Sequence, residues 1–174
     1  MKIARAVRTA ALILALLVPG LAKAEQAGWV GGLFGLSIPN ADQTTSRGAF
    51  GITGGAKLGS EWGIGGYYLT SHKDETGGKF GYDLYGIEFA YHFEGEAAGV
   101  YLGGRVGTSK ITSGAITTSP TNYGAVAGFN HFLSDHVSLG GELNFFSVPE
   151  STSTATTVKG FTMLNFLASA KFWF

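Results

Sequence analysis

The sequence predicts an all-β fold, an eight-stranded antiparallel up-and-down barrel that crosses a membrane, and three observations carry that prediction. Apolar and polar residues alternate with period two through eight segments, which is the pattern of strands with two unlike faces. The connections between these segments are short and long by turns, as in barrels with tight turns on one side of a bilayer and loops on the other. Within the best-defined segments one face is wholly apolar while the other carries polar and charged groups, an arrangement that suits lipid outside and a polar interior.

Before the first segment comes a leader. Lys2, Arg5 and Arg8 precede the apolar run Ala10 to Val18, Pro19-Gly20 breaks it, and Ala22-Lys23-Ala24 supplies small residues ahead of Glu25. This is the charge, apolar core and cleavage-site order of an export signal. The run is shorter than the ~20 residues a spanning helix needs. A cleaved signal peptide over 1–24 and one barrel domain over 25–174 are therefore expected.

Cleavage removes four of the twelve basic residues and none of the twelve acidic ones, leaving a formal charge of −4. A basic stripe for nucleic acid is thus missing, and no nucleic-acid partner is expected. The chain has no cysteine, which rules out disulfides and thiolate metal sites although the protein is exported. Its 28 glycines have no collagen period and lie among aromatic and β-branched residues, as crowded, curved strands require.

The predicted strands are 28–38, 48–58, 62–71, 80–92, 99–109, 121–132, 136–148 and 160–174, each near the length that crosses a bilayer when tilted. Short turns join them at Gly59-Ser60-Glu61, Phe93 to Ala98 and Leu133-Ser134-Asp135. Longer polar connections run from Pro39 to Arg47, His72 to Lys79, Lys110 to Pro120 and Pro149 to Lys159. The even strand number puts both mature termini on the turn side, the periplasm, and the loops outside.

Facing follows from the pleat, since residues i and i+2 share a side. In the last segment Leu164, Phe166, Ala168, Ala170, Phe172 and Phe174 form an apolar row, and Met163, Asn165, Leu167, Ser169, Lys171 and Trp173 a mixed one. In 136–148, Val137, Leu139, Leu143 and Phe145 oppose His136, Ser138, Glu142 and Asn144. Aromatic residues gather at segment ends: Trp29, Trp62, Tyr91, Phe93, Phe132, Trp173 and Phe174 at one side, Phe50, Tyr68, Tyr82, Phe146 and Phe161 at the other. Two interfacial girdles are expected from them.

Five charged residues fall on inward positions: Lys57, Glu88, Arg105, Glu142 and Lys171. Buried charges are costly unless paired. Glu88 and Arg105 lie on adjacent strands about five residues in from the same turn, and Glu142 is near that level, so a structural charge network filling the lumen is expected, together with Tyr101, Leu84 and Asn144.

Three stretches carry a family resemblance: Ala168-Ser169-Ala170-Lys171-Phe172-Trp173-Phe174, the turn Phe132 to Leu139 followed by Gly141-Glu142-Leu143, and Val100-Tyr101-Leu102-Gly103-Gly104-Arg105-Val106-Gly107. Over residues 27–174 the sequence resembles the small outer-membrane barrels of the outer-membrane protein A transmembrane-domain and opacity-type kind. The resemblance implies location in a Gram-negative outer membrane, contact with its lipid and lipopolysaccharide, and recognition of Phe172 and Phe174 by the barrel-assembly machinery. The peptidoglycan-binding domain of larger members is not expected, the sequence ending at Phe174.

Catalysis is not expected. His136-Val137-Ser138 is similar to the His-x-Ser pair of an outer-membrane lipid A deacylase, whose triad needs a base within reach of the serine and a carboxylate behind it. Here Glu142 lies four residues from Ser138 at ~3.4 Å each, Leu139 stands where that enzyme has asparagine, and the pair sits at the periplasmic end. His72, His92 and His131 show no metal-ligand spacing and are expected at interfaces or turns. No cofactor or metal is expected. Lys73-Asp74-Glu75, Glu94-Gly95-Glu96 and the Ser/Thr run 151–157 read as solvated loop tips.

The function expected is a structural or surface-interaction role through the loops, around a plugged lumen. The alternatives are a narrow channel for ions or small solutes, a lipid-modifying enzyme, and a soluble periplasmic barrel for a hydrophobic ligand.

Overall fold

The computed structural model describes residues 27–40, 46–75, 78–94, 98–114, 116–153 and 156–174. The leader expected over 1–24 lies outside them. Eleven strands are present among the described residues: β1 (Gly28–Asn40), β2 (Arg47–Leu58), β3 (Trp62–Glu75), β4 (Gly78–Glu94), β5 (Ala98–Ser113), β6 (Ile116–Thr118), β7 (Thr121–Ser134), β8 (Val137–Val148), β9 (Ser151–Ser153), β10 (Thr156–Val158) and β11 (Phe161–Trp173). The eight long ones pair antiparallel with their neighbours in chain order. β11 then returns to β1, from Trp29 opposite Trp173 to Asn40 opposite Thr162.

That last pairing closes the sheet and leaves the eight-stranded wall without an edge, which is the condition for spanning lipid with strands. Gly28 N–H donates to the Phe174 carbonyl at 2.9 Å and Phe174 N–H to the Gly28 carbonyl at 3.0 Å, so both described termini meet at one end. The predicted turns at Gly59-Ser60-Glu61 and Leu133-Ser134-Asp135 lie at this terminal end. Gly59 adopts φ 77°, a left-handed conformation that disfavours residues with a Cβ. A register shift between Phe132 and Ser134 accommodates the second turn.

At the opposite, loop end the strands run further than the alternation suggests. β3, β4 and β5 extend through much of the connections expected over 72–79 and 110–120, and β6 folds back on β5 through Gly114 at φ 61°. Ile111, Ile116 and the threonines here favour strand. The extension lacks a lipid-facing apolar row, and this is why its periodicity is weak. β9 and β10 form a separate two-stranded ribbon within 149–159.

The facing read from β11 holds. Phe166, Ala168, Ala170 and Phe172 point out, while Met163, Asn165, Leu167, Ser169, Lys171 and Trp173 are buried. Two expectations are corrected. Trp29, Trp173, Tyr82 and Phe146 are at most 1% exposed, and Phe161 is also buried; they fill the lumen rather than a girdle. The exposed interfacial aromatics include Trp62 and Phe93 at the terminal end, Phe50 and Tyr68 toward the loops. Trp62 stacks on Phe89 at 4.8 Å and meets Tyr91 edge-on at 4.9 Å.

The second correction concerns the interior, which is not polar throughout. Its loop half is an apolar cluster that includes Leu69, Tyr82, Leu84, Ile111, Phe146 and Met163. An eight-stranded barrel is just wide enough for its interior to be filled by side chains. Apolar groups pack in such a space as they do in a soluble core.

Candidate functional site

The site defined by the inward residues is a filled lumen in three layers. In the middle, Glu88 on β4 stands directly opposite Arg105 on β5, and Arg105 Nε donates to Glu88 Oε2 at 2.6 Å. Its Nη1 donates to Asn144 Oδ1 at 2.6 Å. Its Nη2 forms ion pairs with Glu88 and, at 2.9 Å, with Glu142 Oε1. One guanidinium thus joins two carboxylates and an amide from β4 and β8, using the fixed fork of donors that lysine lacks. Tyr67 lies under the guanidinium, Cζ to ring centroid 5.0 Å, and its hydroxyl donates to Asn122 Oδ1 at 2.5 Å.

Glu142 is held from every side. Asn144 Nδ2 donates to its Oε1 at 2.9 Å and the Tyr101 hydroxyl to its Oε2 at 2.6 Å. Lys171 Nζ donates to the Tyr101 oxygen at 2.9 Å and stands 3.9 Å from Glu142 Oε2. Tyr101 reaches this position because it crosses Gly128, where a Cβ would lie 2.3 Å from its ring. The charged groups are almost wholly buried, so each relies on these partners rather than on water.

Toward the terminal end, aromatic rings close the lumen. Trp29 packs against Trp173 at 5.8 Å and His92 at 5.5 Å, His92 stacks on Tyr101 at 5.5 Å, and Phe132 meets Trp173 at 5.6 Å. Lys57 Nζ sits 5.6 Å from the Trp173 ring centroid, and Trp173 Nε1 donates to Ser138 Oγ at 2.8 Å. His92 is therefore an interior residue, not the interface or turn residue expected. Toward the loops, Arg47 stacks on Phe80 at 4.5 Å and donates from Nη1 to the Phe80 carbonyl at 3.2 Å. The apolar cluster fills the space between.

The structure thus brings Glu88, Arg105, Glu142 and Lys171 into one hydrogen-bonded unit and places Lys57 apart, against the aromatic layer. Sequence reasoning missed Arg47, Tyr67, Asn122 and His92 as interior partners, and it counted Trp29 and Trp173 in an interfacial girdle although the row reading of the last segment had Trp173 on the inward side. The signal for Trp173 was present, since it shares the i+2 row of Lys171 and Ser169.

His136 and Ser138 do not form a pair. His136 is exposed at the turn, with Nδ1 3.0 Å from the Trp173 carbonyl and its ring stacked on Phe172. Ser138 is buried and engaged by Trp173, and Glu142 is committed to Arg105 and Tyr101. Phe172 faces outward, and Phe174 ends the closing strand beside Gly28. Among the described residues no three His, Asp or Glu side chains form a metal-binding group.

A closed eight-stranded wall, apolar outside and packed with side chains within, defines an integral membrane β-barrel. The chain belongs to the outer membrane protein beta-barrel domain family, which it matches over residues 9–172, and this assigns it to the outer membrane of Gram-negative bacteria. Neisserial surface protein A shares the fold at 14% identity and TM-score 0.70, with 85% of this chain and 97% of that one covered. The attachment invasion locus protein Ail of Yersinia pestis does so at 15% and 0.57, covering 87% and 100%. The N-terminal barrel of Pseudomonas aeruginosa OprF does so at 12% and 0.51, covering 84% and 98%. No curated protein matches the chain in sequence.

Proposed function

We propose that this protein is a non-enzymatic, closed-lumen barrel that works through the loops at the end opposite its termini, with both mature termini in the periplasm. The filled lumen carries this reading. The Glu88–Arg105–Glu142–Lys171 unit, the Trp29/Trp173/His92 layer and the apolar cluster around Tyr82 and Phe146 occupy successive levels, and such an interior offers no route to a solute. What remains for contact is the outer wall, facing lipid and lipopolysaccharide, and the raised loop end built from β3 to β6 and the β9–β10 ribbon. The C-terminal strand, with Phe172 and Phe174, is the part offered to the barrel-assembly machinery. The same frame in a Neisserial surface protein and in an attachment protein supports a surface role.

The orientation is tested by epitope insertion. A tag placed between Ser153 and Thr154 is expected to be labelled by antibody on intact cells, and one placed between Gly59 and Ser60 only after the outer membrane is permeabilised. The reverse pattern overturns the assignment of loops to the outside.

A further inference from the structure

We infer that His92 makes the terminal end of the lumen acid-sensitive: a proton taken up by its ring parts the aromatic layer and lets water in as far as the charge cluster, while the wall stays folded. The inference does not depend on which side of the membrane that end faces.

His72, His131 and His136 are exposed, whereas His92 is 5% exposed. Its ring packs on Tyr101 and Trp29, both at 5.5 Å, and meets Trp173 edge-on at 6.3 Å. Its Nε2 has no hydrogen-bond partner and lies 2.8 Å from where a side chain on Gly63 would begin. That glycine stands opposite Lys57 in the β2–β3 register. A neutral imidazole can leave one ring nitrogen as an unused acceptor, but an imidazolium donates from both. Protonation therefore buries a charged N–H with nothing to accept it, which costs more than a neutral group left unpaired.

The surrounding charges add to that cost. Those that act on the ring are two ammoniums, Lys57 on β2 and Lys171 on β11. β1 and β3 bring Trp29 and Gly63, which carry no charge. β5 brings the Tyr101 hydroxyl, already bonded to Glu142 of β8 and to Lys171. On β4 itself Glu88 is held by Arg105, and Glu94 ends the strand. Aromatic faces can hold a cation, but here they already serve others: Lys57 Nζ is 5.6 Å from the Trp173 centroid and Lys171 Nζ 4.1 Å from that of Tyr101. An imidazolium is thus a third positive charge in one small layer.

The closed layer holds the neutral ring, and the parted layer lets the charged ring meet water. The parted form therefore binds the extra proton, so acid favours it and neutral pH restores the closed one. The gain is up to about tenfold per pH unit below the ordinary imidazole value of about 6.5. Above the layer, the ion pairs of Arg105 with Glu88 and Glu142 keep the path closed.

The test uses the barrel in phospholipid nanodiscs, whose two faces are both open to solvent. Trp62→Phe removes the exposed tryptophan and leaves Trp29 and Trp173, both in the layer, as the emitters. Acrylamide quenching reads their exposure to water, and heat-modifiable mobility checks at each pH that the barrel is folded. In this parent, quenching is expected to be weak at neutral pH, to rise several-fold as the pH falls from about 6.5 to about 4.5, and to revert on neutralisation. His92→Gln is expected to stay weakly quenched throughout, as is His92→Phe, which keeps a ring in the stack without a titratable group; either one that folds decides. His131→Gln and His136→Gln are expected to respond as the parent does. Quenching that stays flat in the parent overturns the inference, as does an acid rise that survives in His92→Gln or His92→Phe, or a rise that comes only with loss of the folded form.

Discussion

Arg105→Ala is expected to lower the stability of the folded barrel by about 3–5 kcal/mol, the usual cost of removing one partner from a buried charge cluster. The substitution leaves Glu88 without its facing guanidinium and takes one partner each from Glu142 and Asn144. Two carboxylates then share the middle of a closed lumen, with the Asn144 amide and the Tyr101 hydroxyl as the remaining donors to Glu142 and Lys171 as its nearby cation. Urea unfolding in lipid vesicles reads the effect as a lower midpoint at unchanged slope. Replacing Glu88 by glutamine in the Arg105→Ala background is expected to recover part of the loss, because the neutral amide needs no counter-charge while Glu142 keeps Lys171 beside it. A midpoint equal to that of wild type in Arg105→Ala would show that the cluster holds nothing together.

The second large effect is expected at the closing strand. Phe172→Ser with Phe174→Ser should leave export intact, seen as normal leader cleavage, while membrane-inserted, heat-modifiable protein falls to a small fraction of wild type. Phe172 lies in the outward row of β11 and packs on His136; Phe174 closes the wall by its two backbone bonds to Gly28. Each change withdraws apolar contact worth about 1.5–3 kcal/mol at the seam on which closure depends, and it removes the terminal pattern that the family resemblance assigns to assembly. Wild-type amounts of inserted barrel in the double variant would contradict that role.

The wall was readable in the sequence because lipid outside and packed side chains inside impose period two on every crossing. β11 shows this best: its two rows separate as Phe166, Ala168, Ala170 and Phe172 against Asn165, Ser169 and Lys171. The Glu88–Arg105 pair was readable for the same reason, since a short turn fixes register and counting inward from Phe93 to Ala98 puts the two residues opposite each other. What composition at strand ends concealed was the direction of each aromatic ring. Trp29 and Trp173 sit near a membrane interface in height, which is where a girdle belongs, but the pleat turns them inward, and Gly55 and Gly63 leave room for the Trp29 indole. Contacts such as Tyr67 with Asn122, or Arg47 with Phe80, join residues far apart in the chain and depend on strand tilt and stagger. The β5–β6 hairpin escaped because both of its sides lack the lipid-facing row that marks a crossing.

The central claim is that the lumen is closed, and the most direct test is the conductance of the purified wild-type barrel in a planar lipid bilayer. The account predicts no steady single-channel steps above the bare-lipid background, because the aromatic layer, the charge cluster and the apolar cluster each block the same narrow path. Reproducible steps of constant size from wild-type protein, in preparations verified as fully folded by heat-modifiable mobility, would contradict the closed lumen and make the barrel a channel.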